Sequence, residues 1–167
     1  MIVLGIDPGY AITGFAVIEY DGRNFRPLDF GVIKTDAKSY FPNRLLTIRR
    51  GIVSLIERYH PDVMAVEELF FSRNTTTAIG TAQARGVSVV TCAEHFIPVF
   101  EYTPMQVKVA VTGYGKADKK QVQEMVRILL KLKRIPQPDD AADALAVAVC
   151  HAHSGNNPQA LSVGGYQ

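Results

Sequence analysis

Residues 2–9, Ile2-Val3-Leu4-Gly5-Ile6-Asp7-Pro8-Gly9, decide how the rest of the chain is read. A short apolar run meets an aspartate and then Pro-Gly, a turn signal, so the segment reads as a buried strand ending on an acid. Moving outward, residues 14–20 (GFAVIEY) and 28–35 are two more strand candidates, split by Asp21-Gly22. The three together read as an antiparallel meander. From Asn43 the period changes. Leu45, Ile48, Ile52, Leu55, Ile56 and Tyr59 recur at spacings of three and four, which predicts an amphipathic helix stopped by Pro61. Residues 63–67 (VMAVE) form a short strand, 75–95 a helix rich in Ala, Gly and Thr, and 98–102 (PVFEY) another strand. A short helix near 104–111, a Gly113-Tyr114-Gly115 loop and helices at about 118–132 and 139–152 follow. Strands that alternate with helices join a sheet in parallel, so the expected class is α/β, with a mixed sheet flanked by helices. Residues 1–153 are expected to make a single domain, and the polar, glycine-rich stretch 154–167 a flexible tail. No internal repeat is visible.

Composition narrows the classes further. The chain has 167 residues, 47% of them hydrophobic, enough for a core without covalent staples. Cys92 and Cys150 are too few for a disulfide framework. The first residues lack a basic n-region, and no apolar run is long enough to cross a bilayer. A cytoplasmic protein with no membrane partner is expected. The net charge of +2 hides a segregation. Residues 108–134 carry Lys108, Lys116, Lys119, Lys120, Arg127, Lys131, Lys133 and Arg134 against Asp118 and Glu124, a net of +6. Residues 1–107 sum to −1, and those from 135 onward to −3. A basic segment beside an acidic cluster suits a protein that holds a polyanion with one part and metal ions with another. The plainer reading of the basic helix is a solvated face.

Four carboxylates need more than a structural explanation. Asp7 taken alone fits an Asx-type turn before Pro8-Gly9. Glu67 closes the run Val63-Met64-Ala65-Val66, where a glutamate is costly to desolvate unless protonated, paired or metal-bound. Its neighbour Glu68 points to the opposite face by alternation, so only one of the two shares a site with Asp7. On the last helix Asp143 shares a face with Asp140, three back, and with Asp139, four back. An N-cap or dipole role accounts for Asp139 or Asp140, but not for Asp143, whose neighbours are all apolar. Converging carboxylates without a cation would raise one another's pKa, and hard divalent ions relieve that. Two such ions form the clamp used for in-line attack at phosphorus.

Several stretches resemble the RuvC family of Holliday-junction resolvases. They are Gly5-Ile6-Asp7-Pro8-Gly9 with Thr13-Gly14, Val66-Glu67 with Phe70, Gln83-Ala84-Arg85-Gly86, Val99-Phe100-Glu101-Tyr102, Gln106-Val107-Lys108 and Asp140-Ala141-Ala142-Asp143-Ala144-Leu145. Together they span about residues 1–153 in the family's order and spacing. The resemblance implies a ribonuclease H-like fold, a homodimer and a Mg²⁺-dependent endonuclease, with two ions per site and Mn²⁺ able to substitute. Such an enzyme nicks two opposed strands of a four-way DNA junction in recombination and repair. It also implies a branch-migration motor as partner. Matched position by position, the family's catalytic, metal-binding acids fall on Asp7, Glu67, Asp140 and Asp143, and its junction-wedging phenylalanine on Phe70, with Phe71 beside it. A wedge of this kind unstacks bases at a cost of a few kcal/mol. The family's DNA-contacting lysines fall on Lys108 and Lys119, inside the +6 segment. Lys116, Lys120 and Arg73 are further candidate phosphate contacts.

Other readings meet specific obstacles. Actin- and sugar-kinase-type ATPases open on a similar phosphate loop but need two such domains. Proofreading exonucleases carry a second acid two residues after the first, where this chain has Gly9. Another ribonuclease H-like nuclease, or a junction-binding module without catalysis, remains the alternative; the latter gives four converging carboxylates no purpose. Cys150, His151 and His153 lack a second ligand pair for zinc. The small residues Ala78, Gly80, Ala82, Ala84 and Gly86 make the 75–95 helix a candidate dimer interface, although burial under the sheet explains them as well.

Overall fold

The computed structural model describes residues 1–68 and 75–155, with only the backbone at 75–77. The meander appears as β1 (Ile2–Asp7), β2 (Ile12–Tyr20) and β3 (Phe25–Lys34), all antiparallel. It is followed by α1 (Phe41–Tyr59), β4 (Val63–Glu67), α2 (Thr75–Glu94), β5 (Val99–Tyr102), α3 (Pro104–Thr112), α4 (Lys119–Leu129) and α5 (Asp139–Ser154). The sheet order is β3-β2-β1-β4-β5, with β4 and β5 joined in parallel to β1 and to each other. The expected mixed sheet is therefore present.

Element ends differ where local chemistry decides them. β3 starts three residues before the apolar pattern does. Pro27 lies within it, opposite a register shift at Val17/Ile18, and is tolerated because β3 is an edge strand. α1 ends on His60 in the left-handed conformation, just before Pro61. α4 stops at Leu129, short of the expected 132, as Lys131 turns to a positive φ. α5 runs to Ser154, the first residue of the expected tail 154–167, and residues 156–167 lie outside the described residues.

The sheet separates two cores. On one face α1 and α2 pack Ile48, Ile52, Leu55, Ile56, Ala84 and Cys92 against Leu4, Ile6, Val17, Met64 and Val66. On the other, α3, α4 and α5 cover Val3, Ala16, Ile18, Val63 and Ala65. α5 is the central helix of that layer, buried from Ala144 to Ala152. This explains a helix apolar on every side: sheet lies beneath it and helices beside it.

Candidate active site

Asp7 and Glu67 come from adjacent parallel strands. β1 and β4 pair at Ile6 and Val66, so the last residue of each strand, Asp7 and Glu67, sits at the same end of the sheet. Ile6 and Val66 face the α1–α2 core. Alternation therefore turns Asp7 and Glu67 to the face covered by α5. Glu68 follows on the opposite side, its backbone N–H donating to the Tyr102 carbonyl at 2.8 Å.

Two glycines bring α5 down onto these acids. A Cβ on Gly14 would lie 2.0 Å from the carbonyl oxygen of Asp140, and one on Gly5 2.2 Å from that of Ala144. Neither space admits a side chain. Because Gly14 pairs with Asp7, the first turn of α5 rests beside Asp7 and carries Asp140 and Asp143 to it. Asp139 points elsewhere: it accepts from Gln123 Nε2 at 3.1 Å and lies 3.2 Å from Lys119 Nζ. Those bonds hold its pKa below the ordinary carboxylate range.

The cluster is electrostatically strained. Burial, then the charges of Asp143, Asp140 and Glu67, push the pKa of Asp7 up to about 7. Burial and the charge of Asp143 also raise Glu67, and burial raises Asp143. The charge of Asp139 raises Asp143 as well. Two cations offset these acids in part: Lys108 and Lys119 act on Glu67, and Lys119 Nζ donates to Asp143 Oδ2 at 3.0 Å. Partial burial lowers the pKa of Lys119, but its bonds to Asp143 and Asp139 outweigh that and leave it raised.

A cleft of about 240 Å³ lies between these elements, lined by Glu67, Lys108, Lys119 and Asp143 over Val107 and Val122. Lys108 is placed by α3, whose start is fixed by a reciprocal Thr103–Gln106 capping box, and Lys119 by the matching Asp118–Gln121 box of α4. Lys116 is exposed on the connection between them. Lys120 turns away from the cleft into a separate groove beside Tyr114 and Met125. Phe70, Phe71 and Arg73 lie outside the described residues.

Among the described residues, no three acidic, His or Cys side chains already close around one point as metal ligands. The donor set still fits a hard divalent cation: all its members are carboxylates, and Asp7, Glu67 and Asp143 are raised by burial first and by neighbouring acids second, a charge that such a cation would offset.

Some residues escaped the sequence reading. Arg85 of α2 and Glu101 of β5 form an ion pair with side chains only 16% and 11% exposed. Both lie in stretches that resemble the family, but only the tertiary structure pairs them. His151 is fully buried and its Nδ1 lies 2.7 Å from the Tyr102 hydroxyl, tying α5 to β5. His153 contacts the Ala110 carbonyl instead, and Cys150 is buried and free, so these three are no zinc site. α2 has two faces: Ala84, Ser88, Thr91 and Cys92 are buried, while the large Ile79 and Val90 and the small Gly86 are exposed.

The fold and the acids at its strand ends define a ribonuclease H-like protein built for metal-assisted chemistry. A family model described as crossover junction endodeoxyribonuclease RuvC matches residues 3–151. A crossover junction endodeoxyribonuclease RuvC of Alkaliphilus metalliredigens is 56% identical over 93% of this chain and 95% of that protein. Its counterpart in Clostridioides difficile is 51% identical over 99% and 98%. Among solved structures, Thermus thermophilus RuvC in complex with a Holliday junction substrate superposes with a TM-score of 0.88 at 39% identity, covering 92% of this chain and 94% of that one. The yeast mitochondrial Holliday junction resolvase Ydc2, 15% identical with a TM-score of 0.66, shares the fold. The chain belongs to the RuvC family of crossover junction endodeoxyribonucleases.

Proposed function

We propose that this chain resolves four-way DNA junctions by paired, symmetric nicks, hydrolysing phosphodiester bonds at Asp7, Glu67, Asp140 and Asp143. The observation that carries this is a carboxylate cluster without its own full countercharge, next to a lysine-lined cleft, in a chain of this family. Mg²⁺ is the proposed cofactor, two ions per site, with Mn²⁺ able to substitute. When bound, such ions supply an activated water and stabilise the leaving 3′ oxygen. The rest falls to the chain's own residues. Asp7 would hold such an ion in its deprotonated form, together with Glu67, Asp140 and Asp143. Lys108 and Lys119 neutralise the phosphate, which requires Lys119 to leave Asp143 for the DNA. Phe70, Arg73, Lys116 and Lys120 are proposed as outer contacts.

A homodimer accounts for two nicks from one active site per chain. Its proposed interface is the outer face of α2, where Ile79 and Val90 are 62% and 51% exposed three turns apart. A branch-migration motor is the proposed partner. The free thiols Cys92 and Cys150 suit a cytoplasmic setting, and no described helix is long and apolar enough to cross a membrane. The test is nicking of a synthetic four-way junction in Mg²⁺. Wild type is expected to cut and Asp7→Asn to bind without cutting. A wild type that binds but never nicks in Mg²⁺ or Mn²⁺ overturns the enzymatic reading, and an Asp7→Asn that cuts normally overturns the site.

A further inference from the structure

An arginine on the opposite side of Asp7 from the lysines is built into a frame that the acid cluster does not require. Tyr10 follows Asp7 by three residues, in the loop between β1 and β2. The Arg44 guanidinium lies over its ring, 3.7 Å from the centroid. Arg44 Nε donates to Thr35 Oγ1 at 2.9 Å, and that hydroxyl donates to the Tyr10 carbonyl at 2.8 Å. Phe41 packs against the other part of the Tyr10 ring at 5.4 Å, and Gly80 of α2 admits the ring because a Cβ there would lie 3.2 Å from Tyr10 Cβ. Ring, hydroxyl and helix thus fix both the plane and the direction of the guanidinium.

What the frame leaves free is the terminal fork. Among the described residues, neither terminal nitrogen of Arg44 has a hydrogen-bond or ion-pair partner. By contrast Arg26, Arg49, Arg85 and Arg127 each engage a glutamate. A planar fork held on an aromatic ring and left without a carboxylate is suited to bidentate capture of phosphate. Position supports the same ligand. Lys108 and Lys119 lie on the α5 side of the sheet, and Asp7 and Glu67 at its strand ends. Arg44 lies on α1, on the other side, beyond β2 and toward β3. Strands are spaced by about 4.8 Å, so the end of β3 lies about 10 Å from that of β1. A DNA strand draped over these ends with its scissile phosphate at Asp7 carries a neighbouring phosphate toward Arg44.

We propose that Arg44, seated on Tyr10 and tied to Thr35, is a phosphate clamp that grips the cleaved strand on the far side of Asp7 from Lys108 and Lys119. It is a positioning residue, since it touches the substrate backbone but not the reacting atoms. The proposal rests on the junction-cleaving reading, and its test separates the two. Junction binding is measured in EDTA, where nothing is cut, across a salt series, for wild type, Arg44→Gln, Arg44→Lys and Tyr10→Leu. Arg44→Gln is expected to weaken binding about tenfold and to lower the salt slope by about 0.9 per protomer. Arg44→Lys is expected to keep the slope but lose part of the affinity, and Tyr10→Leu to fall between. Junctions with a single methylphosphonate at each position beside the nick locate the contact: one position weakens wild type but leaves Arg44→Gln unaffected. An unchanged slope in Arg44→Gln, with or without lower affinity, overturns the clamp, as does the absence of any such coupled position. Nicking by wild type in Mg²⁺, run alongside, reports on the parent reading independently.

Discussion

At the scale of single residues, Asp7 carries the most consequential chemistry. Its pKa of about 7 means that the folded, metal-free protein holds a proton which the unfolded chain releases near pH 4. Between those values the folded state binds more protons, so stability falls as pH rises, at up to about 1.4 kcal/mol per unit. In EDTA, Asp7→Asn is expected to melt higher than wild type at pH 8, with the gain gone by pH 4. Added Mg²⁺ should restore wild-type stability at pH 8 and act far less on Asp7→Asn. Thermal melts at the two pH values check both. His151 has the opposite sign. Burial lowers its pKa to about 4, so its contribution is complete above about 6.5 and is lost as pH falls toward 4. His151→Phe should flatten that acid limb, as measured by urea midpoints across the range, while costing stability at neutral pH through the orphaned Tyr102 hydroxyl.

At the scale of elements, the site depends on how closely α5 lies on the sheet. Gly14 and Gly5 permit that approach, and a methyl group at either would meet a helix carbonyl. Gly14→Ala should therefore lift the first turn of α5, cost about 1–3 kcal/mol of stability, and reduce nicking far more than junction binding. Melting temperature, nicking rate and binding affinity together check this. Much of the element order was legible because apolar periodicity reports which face each segment buries. Its ends were less so: β3 extends past Pro27 only because it is an edge strand. The acids were legible too, since a carboxylate is conspicuous in an apolar run. The ion pair of Arg85 and Glu101 was not, because nothing local to a helix or a strand says that the two will meet.

At the scale of the whole molecule, the proposed homodimer needs a surface that one chain leaves uncovered. Val90→Glu, on the exposed face of α2, is expected to shift the protein to monomer in sedimentation equilibrium without lowering its melting temperature. Junctions should then receive single, uncoupled nicks, and a wild-type–Asp7→Asn mixed dimer should likewise cut one strand. Retention of the dimer in Val90→Glu would place the interface elsewhere.

The sequence by itself determined the mixed α/β order, the presence of acids in otherwise apolar segments and the segregation of charge, because these depend on residue type and on near-neighbour spacing. It left open whether Asp139 or Asp140, and Glu67 or Glu68, belong to the site. How each of these acids is placed is a matter of tertiary structure. The close contact of Gly14 with α5 sets which helix face meets Asp7, while Asp139 is held by Gln123 and shares Lys119 with Asp143. The same holds for the frame around Arg44, whose parts come from a loop, a strand end and two helices. Spacing along the chain fixes which residues share a face. Which faces meet is fixed by packing between segments far apart in sequence.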